Sequence, residues 1–298
     1  MAIQWFPGHM HKARREIQEK LAEIDLFIEL LDARVPASSA NPMLAELAPE
    51  KPRLKVLTKS DLADPVRTEA WLSALTSKRQ QVVVGALNDA TALRTIPKVC
   101  RALLGRHDDR KQTTALIMGI PNVGKSSLIN LLTGKKIAKT GDEPAITKGL
   151  QRIALELDVV LLDSPGLLWP KLISPHAGYR LAATGAIKPT AFTFTEVGLY
   201  ALEFLSREYA HALAARYRLE VGTHSAEMML TAIGRQRGCL RKGGVVDLEL
   251  AAQLLINDIR AGQLGRMTWE MPVQVAQEQA EAERLEAEKQ AKRLARKR

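Results

Sequence analysis

The sequence predicts an α/β domain on a mostly parallel sheet with helices on both faces, followed by a smaller all-α domain. Two patterns carry that prediction. Up to about residue 168, short apolar runs end in polar or glycine-rich loops and alternate with amphipathic or turn-rich segments. Beyond Pro170 the apolar residues recur at helical spacing instead. The strands are read at 26–33 (LFIELLDA), 54–59 (LKVLTK), 82–86 (VVVGA), 115–120 (ALIMGI), 152–157 (RIALEL) and 159–166 (VVLLDSPG). Sheets of this kind bind ligands at the carboxyl ends of their strands. In the second half, Val197, Tyr200, Ala201, Phe204, Leu205 and Tyr209 share one helical face, and Leu248, Ala252, Leu255 and Ile259 share another. Asp247 is the expected N-cap of that last helix and Gly262 its stop. The predicted units are residues 1–172, 176–272 and a charged tail at 273–298, read as a solvated helix or frayed arm that buries no core. Its acids lie in 278–288, Glu288 and Lys292 form a spaced opposite pair, and its tip is basic.

Composition narrows the chemistry. Of 298 residues, 43 are Lys or Arg and 33 Asp or Glu, a formal charge of +10 that suggests a polyanionic partner. With 46% hydrophobic and 26% charged residues the chain builds a real core, which excludes bulk disorder and collagen-like repeats. Its longest apolar stretches are strand-sized, far short of the ~18 residues a membrane helix needs, and its N-terminus does not read as a secretory signal. The expectation is a cytoplasmic protein with no membrane partner. Cys100 and Cys239 are far apart in sequence and predict neither a disulfide framework nor a cysteine zinc site.

The sharpest motif is GIPNVGKSS, Gly119 to Ser127, between the strand-like ALIM and the helix-like SLINLLTG. This is the phosphate-loop pattern G-x4-G-K-S/T in its strand–loop–helix context. Gly119 and Gly124 let the backbone curl so that successive N–H groups, including those of Asn122, Val123 and Ser127, face phosphate oxygens, and the helix N-terminus adds its positive end. Lys125 would bridge the β- and γ-phosphates, and Ser126 would place its hydroxyl on Mg²⁺. DSPG, Asp163 to Gly166, offers an acid to the Mg²⁺ shell and the Gly166 N–H to the γ-phosphate. Between them lies Thr147, the candidate to close over Mg²⁺ when the γ-phosphate is present; the bland alternative is a solvent-exposed loop threonine.

TKSD, Thr58 to Asp61, follows the strand LKVL and supplies base specificity. A carboxylate at Asp61 accepts two hydrogen bonds from guanine, at N1–H and the exocyclic amine, whereas adenine presents a lone pair at N1 and lacks that amine. The stem of Lys59 would lie across the purine plane. The motifs run in an unusual order, base-reading first, phosphate loop second and DSPG last, so the nucleotide domain is circularly permuted, which is tolerable when the original ends lie close together.

Together with WFPGHM (5–10), DARVP (32–36), DSPGLLWP (163–170), RLAATGAIK (180–188) and RGCLRKGGVVDLE (237–249), these motifs resemble the circularly permuted ribosome-assembly GTPases of the ribosome biogenesis GTPase A (YlqF) type, from about residue 4 to residue 271. The resemblance implies a Mg²⁺- and GTP-dependent factor in late large-subunit maturation. It would bind the 50S precursor and its rRNA through the helical domain in the GTP state, leave after hydrolysis, and be a monomer off the ribosome. Two departures stand out. Thr58 replaces the usual Asn, which predicts weaker nucleotide binding, and Gly85-Ala86-Leu87 stands where the family has Ser-Ala, leaving the Ala86 N–H to serve guanine O6.

Hydrolysis needs a group the motif lacks, because Leu167 occupies the position of the water-orienting glutamine, so slow intrinsic turnover is expected. Two groups could substitute for it. One is His9, supported by the resemblance, whose alternative is a loop histidine that touches RNA or nothing. The other is K⁺ held by Asn122, which resembles the cation-coordinating residue of K⁺-activated relatives, the alternative being a loop-shaping Asn. Basic groups for RNA phosphates lie at Lys12, Arg14 and Arg15, at 235–244 around Gly243-Gly244, and at the tail tip. Aromatic content of 4% argues for shape and backbone recognition over base stacking. The competing readings are a non-enzymatic rRNA-binding factor with a structural nucleotide and a P-loop kinase or ATPase, the latter disfavoured by TKSD.

Overall fold

The computed structural model describes residues 10–42, 47–105, 112–137, 151–164, 174–222 and 224–295. Among the described residues the strands are β1 (Leu26–Asp32), β2 (Arg53–Thr58), β3 (Gln80–Val84), β4 (Thr113–Gly119), β5 (Gln151–Ala154) and β6 (Val159–Asp163). They form one sheet in the order β3-β2-β1-β4-β6-β5. All neighbours are parallel except β5 and β6. β5 is shorter than the apolar run 152–157, because Leu157 and Asp158 take φ of 56° and 53°, the left-handed pair that a two-residue hairpin turn uses.

The strands are apolar on both faces because both are covered. On one face Leu26, Ile28 and Leu30 of β1 pack with Ile117, Leu161 and Leu128. On the other, Phe27 packs with Leu116, Met118 and Leu162 under Ile17 of α1 (Met10–Glu19). The helix α2 (Pro65–Leu75) is started by Asp64, whose carboxylate accepts from the N–H groups of Val66 and Arg67, with Pro65 at its first position. Its Trp71 is buried beside Leu31 and Leu57. The helices α3 (Ile96–Leu103) and α4 (Lys125–Thr133) cover the first face through Ile96, Cys100 and Ile129.

Five further helices follow: α5 (Pro175–Thr184), α6 (Phe194–Glu208), α7 (Ala210–Tyr217), α8 (Ala226–Gln236) and α9 (Leu248–Arg260). The helix expected through 197–209 ends at Glu208, because Tyr209 leaves helical geometry (φ −138°, ψ 38°); its hydroxyl donates to Asp64 and accepts from the Thr268 N–H. Asp247 caps α9 by accepting from Leu250 N–H, and Gly262 stands just past its end at φ 70°. The bundle joins the sheet without a break: Leu181 and Ile187 belong to the same buried cluster as Leu30, Leu205 and Leu255. Trp269 is fully buried and stacks on Phe204 at 4.6 Å between centroids.

The last helix, α10, spans Pro272–Ala295. Its first turns differ from the solvated arm expected there: Val275 is buried against Trp71 and Leu57, and Glu278 receives Arg180. Two well-placed side chains suffice to dock a segment whose composition is otherwise polar. Farther out its one described i,i+4 pair is Arg284 with Glu288 at 3.9 Å. Among the described residues no helix is long and apolar enough to cross a membrane.

Candidate functional site

The parallel register brings Asp32 beside Thr58, Leu30 beside Gly119 and Ile117 beside Asp163, so the carboxyl ends of β1, β2, β4 and β6 share one edge. β4 ends at Gly119, where a Cβ would lie 2.8 Å from Val123 Cγ1 and 3.1 Å from both Leu30 Cβ and its carbonyl oxygen. Glycine is therefore what lets the loop fold back on itself. Asn122 (φ 59°) and Gly124 (φ 99°) complete the curl, and nothing lies within 4 Å of the Cβ position at Gly124. α4 starts at Lys125 with no side-chain cap, so no capping side chain takes the first-turn N–H groups of Lys125, Ser126 and Ser127 at the positive helix end. The buried Lys125 ammonium pairs with Asp163, and Ser164 Oγ donates to Ile117 O at 2.9 Å, fixing the start of the DSPG segment on β4.

Thr58 joins the TKSD segment to the phosphate loop. Its hydroxyl oxygen lies 2.7 Å from Val123 O and 3.0 Å from Leu31 O, and its one proton serves either carbonyl. Lys59 sits at φ 56° with Nζ donating to Asp32 Oδ2 at 3.0 Å, which fixes its stem along the edge. Asp61 and Ala86 line one cavity of about 540 Å³, with Asn88 and Arg266 on its walls. Asn88 Nδ2 donates to Asp61 at 3.3 Å. The departure at Gly85 has a local reason: a Cβ there would meet Leu93 at 2.7 Å, so the leucine occupies the space a serine would take. His9, Thr147, Gly166 and Leu167 lie outside the described residues, as do the side chains of Lys12 and Arg14.

Sequence reasoning missed what surrounds Asp32. Its buried carboxylate accepts from Arg34 Nε at 2.9 Å, Arg34 Nη2 at 2.7 Å and Arg34 N–H at 3.0 Å, besides Lys59. Burial alone would raise its pKa, but Arg34 and Lys59 outweigh it and hold the group well below the ordinary carboxylate range. An Asp-x-Arg at the carboxyl end of a buried strand was the available signal. Arg34 Nη2 continues to Thr184 O at 3.1 Å, Asn122 Nδ2 donates to Gly185 O at 2.9 Å, and Arg260 donates to Ala182 O at 2.7 Å and Ala183 O at 3.1 Å. Four successive carbonyls at the end of α5 are thus capped by three side chains, one of them from the phosphate loop itself.

The helical domain also presents a basic turn. Leu240 bridges to Val246, Gly243 and Gly244 take φ of 86° and 76°, and Arg241, Lys242, Leu240 and Val245 are exposed around them. Arg241 is held by Asp247 at 2.8 Å.

A phosphate loop in mid-chain, the TKSD segment ahead of it and a helical region behind define a circularly permuted P-loop GTPase. The family described as the 50S ribosome-binding GTPases matches residues 114–193. Ribosome biogenesis GTPase A of Bacillus cereus is 42% identical over 96% of this chain and 99% of its own, and that of Priestia megaterium 44% identical over 93% and 99%. Mitochondrial ribosome-associated GTPase 1 of Xenopus tropicalis is 32% identical over 88% and 92%. The GNP-bound crystal structure of YlqF from T. maritima superposes with a TM-score of 0.63 at 28% identity, covering 88% of this chain and 98% of that one. The chain belongs to the ribosome biogenesis GTPase A family.

Proposed function

We propose that this protein binds GTP at the edge shared by TKSD and the phosphate loop, hydrolyses it, and uses the cycle to assemble the large ribosomal subunit in the cytoplasm. The observation that carries the reading is the Thr58–Val123 contact, which joins a carboxylate suited to guanine and a loop suited to phosphate into one site. Asp61 reads the guanine N1–H and amine, the Ala86 N–H faces O6, and the Lys59 stem carries the purine plane. The N–H groups from Asn122 to Ser127 and the Lys125 ammonium hold the phosphates, Lys125 exchanging Asp163 for phosphate oxygens.

The donor set fits Mg²⁺: the Ser126 hydroxyl and the Asp163 carboxylate are hard oxygen ligands at one helix start, leaving most of the coordination to phosphate and water. When bound, the ion neutralises charge developing on the transferred phosphoryl group. Thr147 would complete that shell, Gly166 would sense the γ-phosphate, and His9 would place the attacking water. Asn122 donates its amide nitrogen to Gly185, which leaves its carboxamide oxygen for K⁺. The exposed basic turn at 241–244 supplies phosphate contacts to rRNA and 50S precursors, and the protein acts as a monomer off the ribosome.

Replacing Asp61 by Asn tests the base assignment. The variant is expected to lose guanine nucleotide affinity by about a hundredfold and to gain xanthine nucleotide, measured by fluorescent-nucleotide titration alongside GTP turnover with and without large subunits. Unchanged guanine preference would refute it.

A further inference from the structure

A second cavity of about 540 Å³ lies between the two domains. One wall is Lys59, Pro121 and Asn122; the other is the segment 184–189 and Arg260 of the helical domain. Four cations face it: Arg34, Lys59, Lys188 and Arg260. Asp32 neutralises Arg34 and Lys59 together with one charge, and Arg260 is spent on the carbonyls of α5. Burial, and after it the adjacent Arg34 charge, push the Arg260 pKa down. Lys188 is exposed and has no acidic partner among the described residues. A cavity of this sign, walled by the phosphate loop and the base-reading lysine, suits the ribose–phosphate portion of a nucleotide rather than an apolar ligand.

The geometry points to a nucleotide clasped between the domains, with Lys188 of the helical domain donating to its phosphate or ribose oxygens across the cleft from Asn122. This rests on the nucleotide site proposed above and extends it: the helical domain becomes part of the binding site. Segment 184–189 would form one fixed wall of the clasp, joined to the phosphate loop through the Asn122–Gly185 hydrogen bond.

The test uses the full chain carrying Lys188→Ala, Lys188→Glu or Lys188→Arg, titrated with fluorescent GDP and a non-hydrolysable GTP analogue in Mg²⁺ at low and high salt. Lys188→Ala is expected to weaken both nucleotides about fivefold to tenfold, Lys188→Glu more, and Lys188→Arg little, with a shallower salt dependence for Ala. Nucleotide-free thermal unfolding should match wild type in all three, since the side chain is exposed. If Ala and Glu bind as wild type while Asp61→Asn loses guanine nucleotide, the clasp is wrong and the site reading stands. If Asp61→Asn also binds normally, the site reading fails with it. Loss of co-sedimentation with large subunits by Lys188→Glu, at unchanged nucleotide affinity, would assign the cavity to RNA and overturn the clasp.

Discussion

Asp32 is the residue on which the carboxyl-end edge of the sheet is anchored, because one buried carboxylate orients Lys59 and the arginine that reaches α5. A carboxyl group whose pKa is lower in the folded state adds stability above the ordinary carboxylate range and loses it as pH falls through that range toward the folded value. The wild type should therefore lose unfolding free energy from about pH 5 downward more steeply than Asp32→Asn. At pH 7 the variant, with two cations left uncompensated, should be less stable by about 3 kcal/mol in urea titration. The residues that sequence singles out are those of local motifs, Lys125 and Asp61 among them, since the role proposed for each rests on its immediate neighbours. Asp32 and Arg34 were visible as part of a resemblance but carried no role, because their partners Lys59 and Thr184 come together only in the fold. Glu270 gave no signal at all: it is fully buried and accepts from Ala37 N–H at 2.7 Å and Ser38 N–H at 3.1 Å, across more than two hundred residues of chain.

The elements of the site divide in the same way. β1, β2, β4 and β6 were legible because continuous apolar runs ending in polar loops have few alternatives, and the cap of α9 was legible because Asp247 works within three residues. The end of β5 and the break at Tyr209 were not, because the apolar pattern continues through both and only a hairpin turn or distant hydrogen-bond partners interrupt it. The phosphate loop is the element with the least slack. Gly119→Ala would press a methyl group onto Val123 and onto the Leu30 backbone, which belongs to the central strand and cannot yield. The substitution should cost about 1–3 kcal/mol in denaturant unfolding and distort the loop enough to abolish measurable nucleotide binding.

At the scale of the whole molecule, the two domains are tied by buried charge as well as by a continuous core. Arg180 on α5 donates to both Glu278 oxygens and lies 3.5 Å from Glu270, while Ser174, at the start of α5, donates to Glu278 at 2.9 Å. The charged last helix is thus fastened to the segment that follows DSPG. Glu278→Gln should lower unfolding free energy by about 2 kcal/mol and hasten proteolysis beyond Met271, measured by denaturant titration and limited digestion. The sheet order has a further consequence for how the chain is made. β1 is synthesised first of the strands yet ends up in the middle, flanked by β2 and by the much later β4. While translation continues past β3, one side of β1 remains an open, greasy hydrogen-bonding edge, the kind that recruits stray chains. A premature product ending before Thr113 would keep that edge uncovered and precipitate, so the strand that delivers the phosphate loop also seals the nascent protein.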